Sequence, residues 1–488
     1  MKILLASSEV HPFSKTGGLA DIVGALGKAL ARAGHEARIV APLYPGIREK
    51  FPRMRRMDWK FNLPLGAKWE QGGLWLLETE SGVMVYFVEH PGFFNRPGIY
   101  FENNISYADN DARFIFFSKC VASLARYLPW SPDVVHVHDW QTALVPALLL
   151  HQQLAEGWGN PPPTCLTIHN LAYQGIFPPA AFALTNLPPE FFTVNGAEFY
   201  GQLNCLKAGI IFADVITTVS PRYAREIMTE ELGCGLDDRL RRRRKNLFGI
   251  LNGVDYEEWN TAENPFLARP YSVTRLAGKQ ANKAALQKEF RLRVDKKIPL
   301  FTTIARLAEQ KGVDIELGAL QEMLSADIQF VLLGSGSPAY ERGYQELARR
   351  FPDKVAVSLG YDEGLSHRIE AGADFFIMPS QFEPCGLNQM YSLRYGTIPI
   401  VRATGGLDDS VIDFTQDATH ANGIKFQEYS TRALAKAMRK ALVIFSQPAL
   451  LRRFRQNAMK MDFSWDQAVS KYLQVYESSE RFELRTRF

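Results

Sequence analysis

Cysteine is scarce. Five occur in 488 residues, at Cys120, Cys165, Cys205, Cys234 and Cys385, an odd number with no C-x-x-C spacing. That excludes a disulfide framework and a zinc knuckle. An excess of one charge is also missing. Lys plus Arg number 56 and Asp plus Glu 52, a net of +4, too small for a general nucleic-acid binder that gains affinity from many phosphate contacts. A small local anion site stays open. Apolar runs are short as well. None approaches the roughly 18–20 residues that span a bilayer, and Glu9 falls too early for a signal-peptide apolar region. The expectation is a reduced, cytoplasmic protein with no nucleic-acid or membrane partner.

What is present is an ordinary globular balance, with 46% hydrophobic and 22% charged residues, over a length that suggests two large domains. Short apolar runs alternate with amphipathic helices. The first series predicts strands at Ile3–Ser7, Ala37–Ala41, Val134–His138, Cys165–His169 and Val215–Val219, with helices from Leu19 to Leu30 and over Asp111–Tyr127. Leu74–Leu77 and Val83–Val88, joined through Ser81-Gly82, predict an antiparallel hairpin. A second series predicts strands at Leu300–Ile304, Ile328–Leu333, Val355–Leu359, Phe375–Met378 and Ile398–Val401. Such alternation means parallel, doubly wound sheets, and eleven or more strands exceed one comfortable sheet. The fold class is therefore α/β with two Rossmann-like domains. The turn-rich stretch from Asn252-Gly253 to Pro270 marks the boundary.

Thr16-Gly17-Gly18-Leu19-Ala20-Asp21-Ile22-Val23 is echoed by Thr404-Gly405-Gly406-Leu407-Asp408-Asp409-Ser410-Val411. Each copy follows a predicted strand and opens a helix, where glycines let backbone N–H groups approach an anion. Simple turn chemistry accounts equally well for one such echo. Two of them, one per domain, point to a ligand held in the cleft between the domains.

Several patterns favour a plainer reading. Gly334-Ser335-Gly336-Ser337-Pro338-Ala339 fits G-x-G-x-x-A but lies on the second strand of its series, so it reads as a glycine turn before a Pro-started helix. Asp109-Asn110-Asp111 reads as helix capping rather than a metal motif. His136 and His138 read as buried, hydrogen-bonded histidines, because no further ligands stand at zinc-like spacing. The basic run from Arg239 to Lys245 reads as a solvated helix end. Cys385 reads as a packed small side chain rather than an activated thiolate.

The remaining motifs carry chemistry at strand ends, where α/β sites lie. Lys15 precedes the first glycine pair, His169-Asn170 ends a strand, and Arg306, Gln310 and Lys311-Gly312 flank a helix start. Glu383-Pro384-Cys385-Gly386-Leu387 follows another strand.

Together these segments resemble one family: Lys15-Thr16-Gly17-Gly18-Leu19-Ala20-Asp21, His136-x-His138-Asp139-Trp140, His169-Asn170-Leu171-Ala172-Tyr173-Gln174-Gly175 and Leu251-Asn252-Gly253-Val254-Asp255. Arg306-Leu307-x-x-Gln310-Lys311-Gly312, Glu383-Pro384-Cys385-Gly386-Leu387 and Thr404-Gly405-Gly406-Leu407 complete it. The chain is similar to the bacterial glycogen synthases and plant starch synthases from Met1 to about Trp465.

That resemblance implies a B-type glycosyltransferase fold, two Rossmann-like domains facing a deep cleft. Residues 1–252 would form the acceptor-side domain, with a C-terminal helix 465–488 crossing back to it, and 253–464 the nucleotide-sugar domain. It implies retaining transfer of glucose from ADP-glucose to the non-reducing end of an α-1,4-glucan, with no metal and no cofactor. By the same resemblance Lys15, Arg306 and Lys311 face the donor diphosphate, and Gly17, Gly18, Asp21, Gln310, Thr404, Gly405 and Gly406 belong to substrate-binding motifs. Glu383 and the backbone at Cys385, Gly386 and Leu387 lie by the transferred glucose. His169, with Asn170 beside it, and Asp139 lie by the sugar, Tyr361 stacks on adenine, and Tyr100 lies near the active site.

Three positions depart from related patterns. Gln141 stands where some bacterial members carry His, and Asn388 where others carry Thr. Tyr391 stands where other glycosyltransferases place a second Glu, which this branch lacks. For the reaction, cations and helix N-termini are the groups available to take up leaving-group charge. Glu383 and Asp139 are the carboxylates a double displacement would need, and neither is assigned as nucleophile. Same-face attack is favoured, with the covalent route left open. Two alternatives are a UDP-sugar-dependent transferase of the same fold and a non-catalytic glucan-binding protein.

Overall fold

The computed structural model describes residues 1–103 and 105–479. The chain divides into two compact units. Unit 1 comprises Met1–Val219, Ala224–Gly253 and the stretch from Trp465, and unit 2 comprises Ser220–Tyr223 and Val254–Ser464.

Unit 1 is built on strands β1 (Lys2–Ala6), β2 (Glu36–Pro42), β3 (Arg55–Leu65), β4 (Lys68–Glu78), β5 (Met84–Glu89), β6 (Val134–His138), β7 (Thr164–Ile168), β8 (Val215–Thr218) and β9 (Leu247–Gly249). They form one sheet in the order β9-β8-β7-β6-β1-β2-β5-β4-β3. Parallel pairing runs from β9 to β5. The expected hairpin is present, with Leu74 opposite Val88, and β3 extends it antiparallel. Strands β1, β6 and β7 are buried almost throughout, as strands covered on both faces must be. The helices used below are α1 (Gly18–Arg32), α2 (Asn110–Tyr127), α3 (Val145–Glu156), α4 (Cys205–Phe212) and α5 (Asp237–Arg242).

Unit 2 contains α6 (Ala277–Glu289), β10 (Leu300–Leu307), α7 (Val313–Met323), β11 (Gln329–Gly336), α8 (Pro338–Arg350), β12 (Val355–Leu359), α9 (Glu363–Gly372) and β13 (Phe375–Met378). After them come α10 (Asn388–Tyr395), β14 (Ile398–Arg402), α11 (Gly405–Ser410), β15 (Ile424–Phe426), α12 (Thr431–Phe445) and α13 (Pro448–Lys460). The sheet order is β12-β11-β10-β13-β14-β15, all parallel. Phe301, Phe330, Ile377 and Ile400 from four of its strands join Leu320, Leu434 and Phe454 in the largest core of this unit.

The last described helix, α14 (Trp465–Ser479), belongs to unit 1. The Trp465 ring occupies the space a Cβ on Gly253 would take. Residues 480–488, the rest of the C-terminal helix expected from the sequence, lie outside the described residues. Among the described residues no helix is long and apolar enough to cross a membrane.

Candidate active site

In unit 1 the site residues stand where the sheet's central strands end. β6 ends at His138, and Asp139 turns the chain sharply with a left-handed backbone, φ 55°. Its Oδ1 accepts the His169 N–H at 2.7 Å, tying the end of β6 to the end of β7. His138 Nδ1 and His169 Nε2 lie 3.0 Å apart and share a hydrogen bond. His138 Nε2 is buried with no hydrogen-bond partner among the described residues. His136 is held by the Tyr476 hydroxyl of α14 at 2.8 Å and the Thr167 hydroxyl at 2.6 Å. The C-terminal helix therefore fixes the strand that carries the site. The reading of His136 and His138 as buried, hydrogen-bonded residues holds. Asn170 Oδ1 accepts the Ala172 N–H and shapes the loop that follows.

Burial sets the charges. It pushes His136 and His169 down to about 3 and His138 in the same direction, so all three imidazoles are neutral near pH 7. Burial pushes Asp139 up to about 7, against the backbone N–H groups of His169 and Asn170. The sign for stability follows. The depressed imidazoles contribute stability above pH 6.5 that is lost as pH falls toward 3. Asp139 contributes in the opposite sense, strongest below its usual 3.8 and lost as pH rises through 7. Three imidazoles outweigh one carboxyl, so unit 1 is expected to lose stability as pH falls from about 6 to 4. Thermal melting of the chain between pH 6 and pH 4 measures this, and a flat midpoint contradicts it.

The first glycine turn has an unforeseen organiser, Glu9. Its buried carboxylate accepts the Thr16 N–H, the Thr16 hydroxyl at 2.7 Å, the Gly17 N–H at 3.2 Å and the Tyr100 hydroxyl at 2.6 Å. An anion does sit at this turn, and it is the chain's own. Burial beside Glu9 raises the Tyr100 phenol well above 10, so Tyr100 stays a donor. Lys15 pairs with Asp21 at 2.8 Å on the half-exposed start of α1. The sequence signal for Glu9 is an acid three residues after the end of β1.

In unit 2, the exposed Arg306 is the last residue but one of β10. Gln310 receives the Gln381 N–H at its backbone oxygen and donates from its side chain to the Phe382 carbonyl. Lys311 Nζ meets Glu383 Oε2 at 2.6 Å, and the Ser380 hydroxyl donates to the same oxygen at 3.1 Å. Glu383 is only 8% exposed and Lys311 24%. Gly312, φ 73°, is required there, because a Cβ would overlap the Pro379 carbonyl. Cys385 is buried, which fits packing. Gln389 braces Cys385 and Gly386 through their carbonyl oxygens, and Leu387 precedes α10 as its N-cap residue. Asn388 donates to the Ile304 carbonyl at 2.7 Å, fastening this loop to β10. Tyr361 is 77% exposed. Tyr391 stacks on Trp259 with centroids 3.7 Å apart.

The two glycine pairs do different things. A Cβ on Gly17 or Gly18 meets no protein atom within 4 Å. On Gly405 it would overlap the Glu383 carbonyl, and on Gly406 the Cys385 carbonyl. Gly406 also donates its N–H to the Glu383 and Pro384 carbonyls. With Thr404 as the N-cap residue of α11, this second pair clamps the Glu383 loop. Gly17→Ala is expected to change folding stability by less than about 0.5 kcal/mol, and Gly406→Ala to cost about 1–3 kcal/mol from overpacking. Melting of the two variants checks this; equal losses contradict it.

Some plainer expectations need correction. Asp109 stands at the N-cap of α2 without a side-chain cap bond. It instead takes a two-pronged pair with Arg96 at 2.6–2.7 Å. The basic run is mostly solvated on α5, but Arg243 donates to the carbonyls of Ile210 and Ile211 in the last turn of α4 and of Ala213 and Asp214 just after it. Gly334 and Gly336 lie within β11, not in a turn, and side chains there would strike the carbonyls of Ala305 and Leu307. Glu258, Glu363 and His367 approach within 4.8 Å of one another. His367 Nδ1 lies 3.2 Å from the Asn264 amide nitrogen and 2.8 Å from the Tyr395 hydroxyl.

Two doubly wound sheets, parallel except at the β4 and β3 edge of the first, carry the site residues near their strand ends, and the family matches make this the fold of the B-type glycosyltransferases. Residues 2–242 match the family described as the starch synthase catalytic domain, and residues 285–461 the glycosyl transferases group 1. Glycogen synthase from Anaeromyxobacter sp. (strain Fw109-5) is 47% identical over 98% of this chain and 99% of its own length. Glycogen synthase from Syntrophotalea carbinolica is 42% identical over the same shares. The catalytic domain of starch synthase IV from Arabidopsis thaliana, solved bound to ADP and acarbose, superposes with a TM-score of 0.88 at 36% identity, covering 98% of this chain and 99% of that one. This chain belongs to the glycogen and starch synthase family and is a hexosyltransferase.

Proposed function

We propose that the chain transfers glucose from ADP-glucose to the non-reducing end of an α-1,4-glucan, with retention, lengthening glycogen in the cytoplasm. The observation that carries this reading is the Lys311–Glu383 ion pair at 2.6 Å, which supports a lysine that meets the diphosphate beside the loop that would receive the glucose. The ADP-bound plant relative supports an adenine nucleotide donor. Residues 1–252 with the C-terminal helix serve the acceptor, and 253–464 hold the nucleotide sugar.

Lys15, Arg306 and Lys311 contact the diphosphate, with Gln310, Thr404, Gly405 and Gly406 shaping the pocket around it. Gly17 and Gly18, bare of neighbours, let the donor approach the start of α1, where Asp21 positions Lys15. Tyr361 stacks on the adenine. Glu383 and the Cys385, Gly386 and Leu387 backbone hold the transferred glucose, and Asp139, His169 and Asn170 bind the sugar from unit 1. Tyr100, fixed by Glu9, supports the glycine turn.

Chemically, the bond from C1 to the diphosphate oxygen breaks and the acceptor O4 attacks C1 from the same face. The acceptor proton passes to the departing phosphate, and the cations stabilise the charge that develops there. Neutral His169 does not repel the positive charge growing on the sugar. A donor panel with glycogen in the presence of a chelator tests the reading. ADP release from ADP-glucose well above UDP release from UDP-glucose is expected. A preference for UDP-glucose would replace it with the UDP-sugar reading, and glucan binding without turnover with a non-catalytic one.

A further inference from the structure

Outside the groups given to the transfer, Glu258, Glu363 and His367 of unit 2 have the composition of a cation site. Each offers a ligand atom within 4.8 Å of the other two. Glu363 and His367 stand four residues apart on α9, so they share one helix face. Glu258 comes from the turn-rich stretch after Gly253 and brings a third ligand from a separate part of the chain. Both glutamates are exposed, whereas His367 is 1% exposed.

Two exposed acids would carry nothing on their own, and the buried histidine is the second observation. Its ring packs on Trp259, the neighbour of Glu258, with centroids 4.2 Å apart, and on Phe266 with centroids 5.3 Å apart. Its Nδ1 lies 2.8 Å from the Tyr395 hydroxyl and 3.2 Å from the Asn264 amide nitrogen. Asn264 is fixed in turn, since its Oδ1 accepts the Phe266 N–H at 3.0 Å and its amide donates to the Tyr395 hydroxyl at 3.0 Å. His367 Nε2 has no hydrogen-bond partner among the described residues. A polar atom on so buried a side chain calls for a partner. An imidazole held from behind at one nitrogen, with the other left over, is the arrangement that orients metal-binding histidines. With Nε2 on an ion, the Nδ1 proton is donated to the Tyr395 hydroxyl.

We propose that Glu258, Glu363 and His367 bind one divalent transition-metal ion of the zinc type, through His367 Nε2 and one oxygen of each carboxylate, with water completing the shell. One nitrogen and two oxygens suit Zn²⁺ better than Mg²⁺ or Ca²⁺, which favour oxygen alone. Bonds of about 2.0–2.2 Å bring ligand atoms to roughly 3–4 Å from one another, a distance the two exposed glutamates reach by small side-chain rotations. The ion is structural. It ties the stretch after Gly253 to the first turn of α9.

Calorimetric titration of the chelator-stripped full chain with Zn²⁺ tests this, with Mg²⁺ and Ca²⁺ as controls. A saturable Zn²⁺ site with a Kd below about 20 μM is expected, with the controls bound at least tenfold more weakly. The double variant Glu258→Gln with Glu363→Gln changes only exposed side chains and keeps their shape. It is expected to weaken Zn²⁺ binding at least tenfold. Zn²⁺ should also raise the melting midpoint of the wild type and leave that of the double variant nearly unmoved. Absence of saturable binding overturns the proposal, as does Mg²⁺ or Ca²⁺ binding as tight as that of Zn²⁺. Equal Zn²⁺ affinity in the wild type and the double variant also overturns it, placing the ion elsewhere, such as on the His138–His169 pair.

Discussion

Lys311→Ala is expected to lower kcat about a hundredfold. A preorganised cation opposite a developing diphosphate charge contributes about 3 kcal/mol in a site shielded from water. An ordinary surface lysine contributes a few tenths. The same substitution has a second cost, because Glu383 is 8% exposed and loses its ion-pair partner, while the Ser380 hydroxyl remains. Full burial of an orphaned charge costs about 3–5 kcal/mol. Lys311 is 24% exposed, so water reaches the gap and about 1–3 kcal/mol is expected. The two effects separate in the double variant Lys311→Ala, Glu383→Gln. Removing the carboxylate charge should recover most of the stability and none of the rate. Steady-state kinetics and melting on the same preparations provide the comparison. An unchanged kcat in Lys311→Ala would remove this residue from the transfer site.

Lys15→Ala should show a rate loss of similar size with almost no loss of stability. Its ion pair with Asp21 is 44% and 33% exposed, and pairs in that setting contribute about 0–1 kcal/mol. Any large effect must therefore arise on the substrate. The expected outcome is a drop of about a hundredfold in kcat/KM with ADP-glucose and a melting temperature close to that of the wild type. Asp21→Asn is a useful companion, because it leaves the lysine in place without its acid partner. It should cost less than Lys15→Ala. If Lys15→Ala keeps full activity, the role given to the first glycine turn fails.

Much of the fold is legible in the sequence because buried parallel strands are runs of Val, Ile, Leu and Phe that no turn interrupts. Val134–His138 and Phe375–Met378 fall within the structure's bounds. The missed strands lack that signal. β3, with the sequence Arg-Arg-Met-Asp-Trp-Lys-Phe-Asn-Leu-Pro-Leu, is largely exposed and outermost in the sheet order, so its pattern is polar and holds a proline. β9 and β15 have three residues each, too few for any period to register.

The motif segments were readable as loops that follow predicted strands, while the roles given to their residues came from the family resemblance. Partnerships between distant residues were not. Nothing near Glu9 announces that Thr16, Gly17 and Tyr100 converge on it. Nor does Asp109 announce Arg96, thirteen residues before it. The glycine echo shows the limit from the other side. Two segments alike in sequence have different physical causes, open space around Gly17 and carbonyl contacts beneath Gly406.

The most direct test of the account follows the product. The protein is supplied with ADP-glucose labelled at C1, a short maltooligosaccharide and a chelator, and the glucan is read by NMR while ADP is counted. One ADP released for each labelled glucose added, joined through an α-1,4 bond at the non-reducing end, is the predicted result. ADP release that leaves the label as free glucose, or a β-linked product, would contradict it.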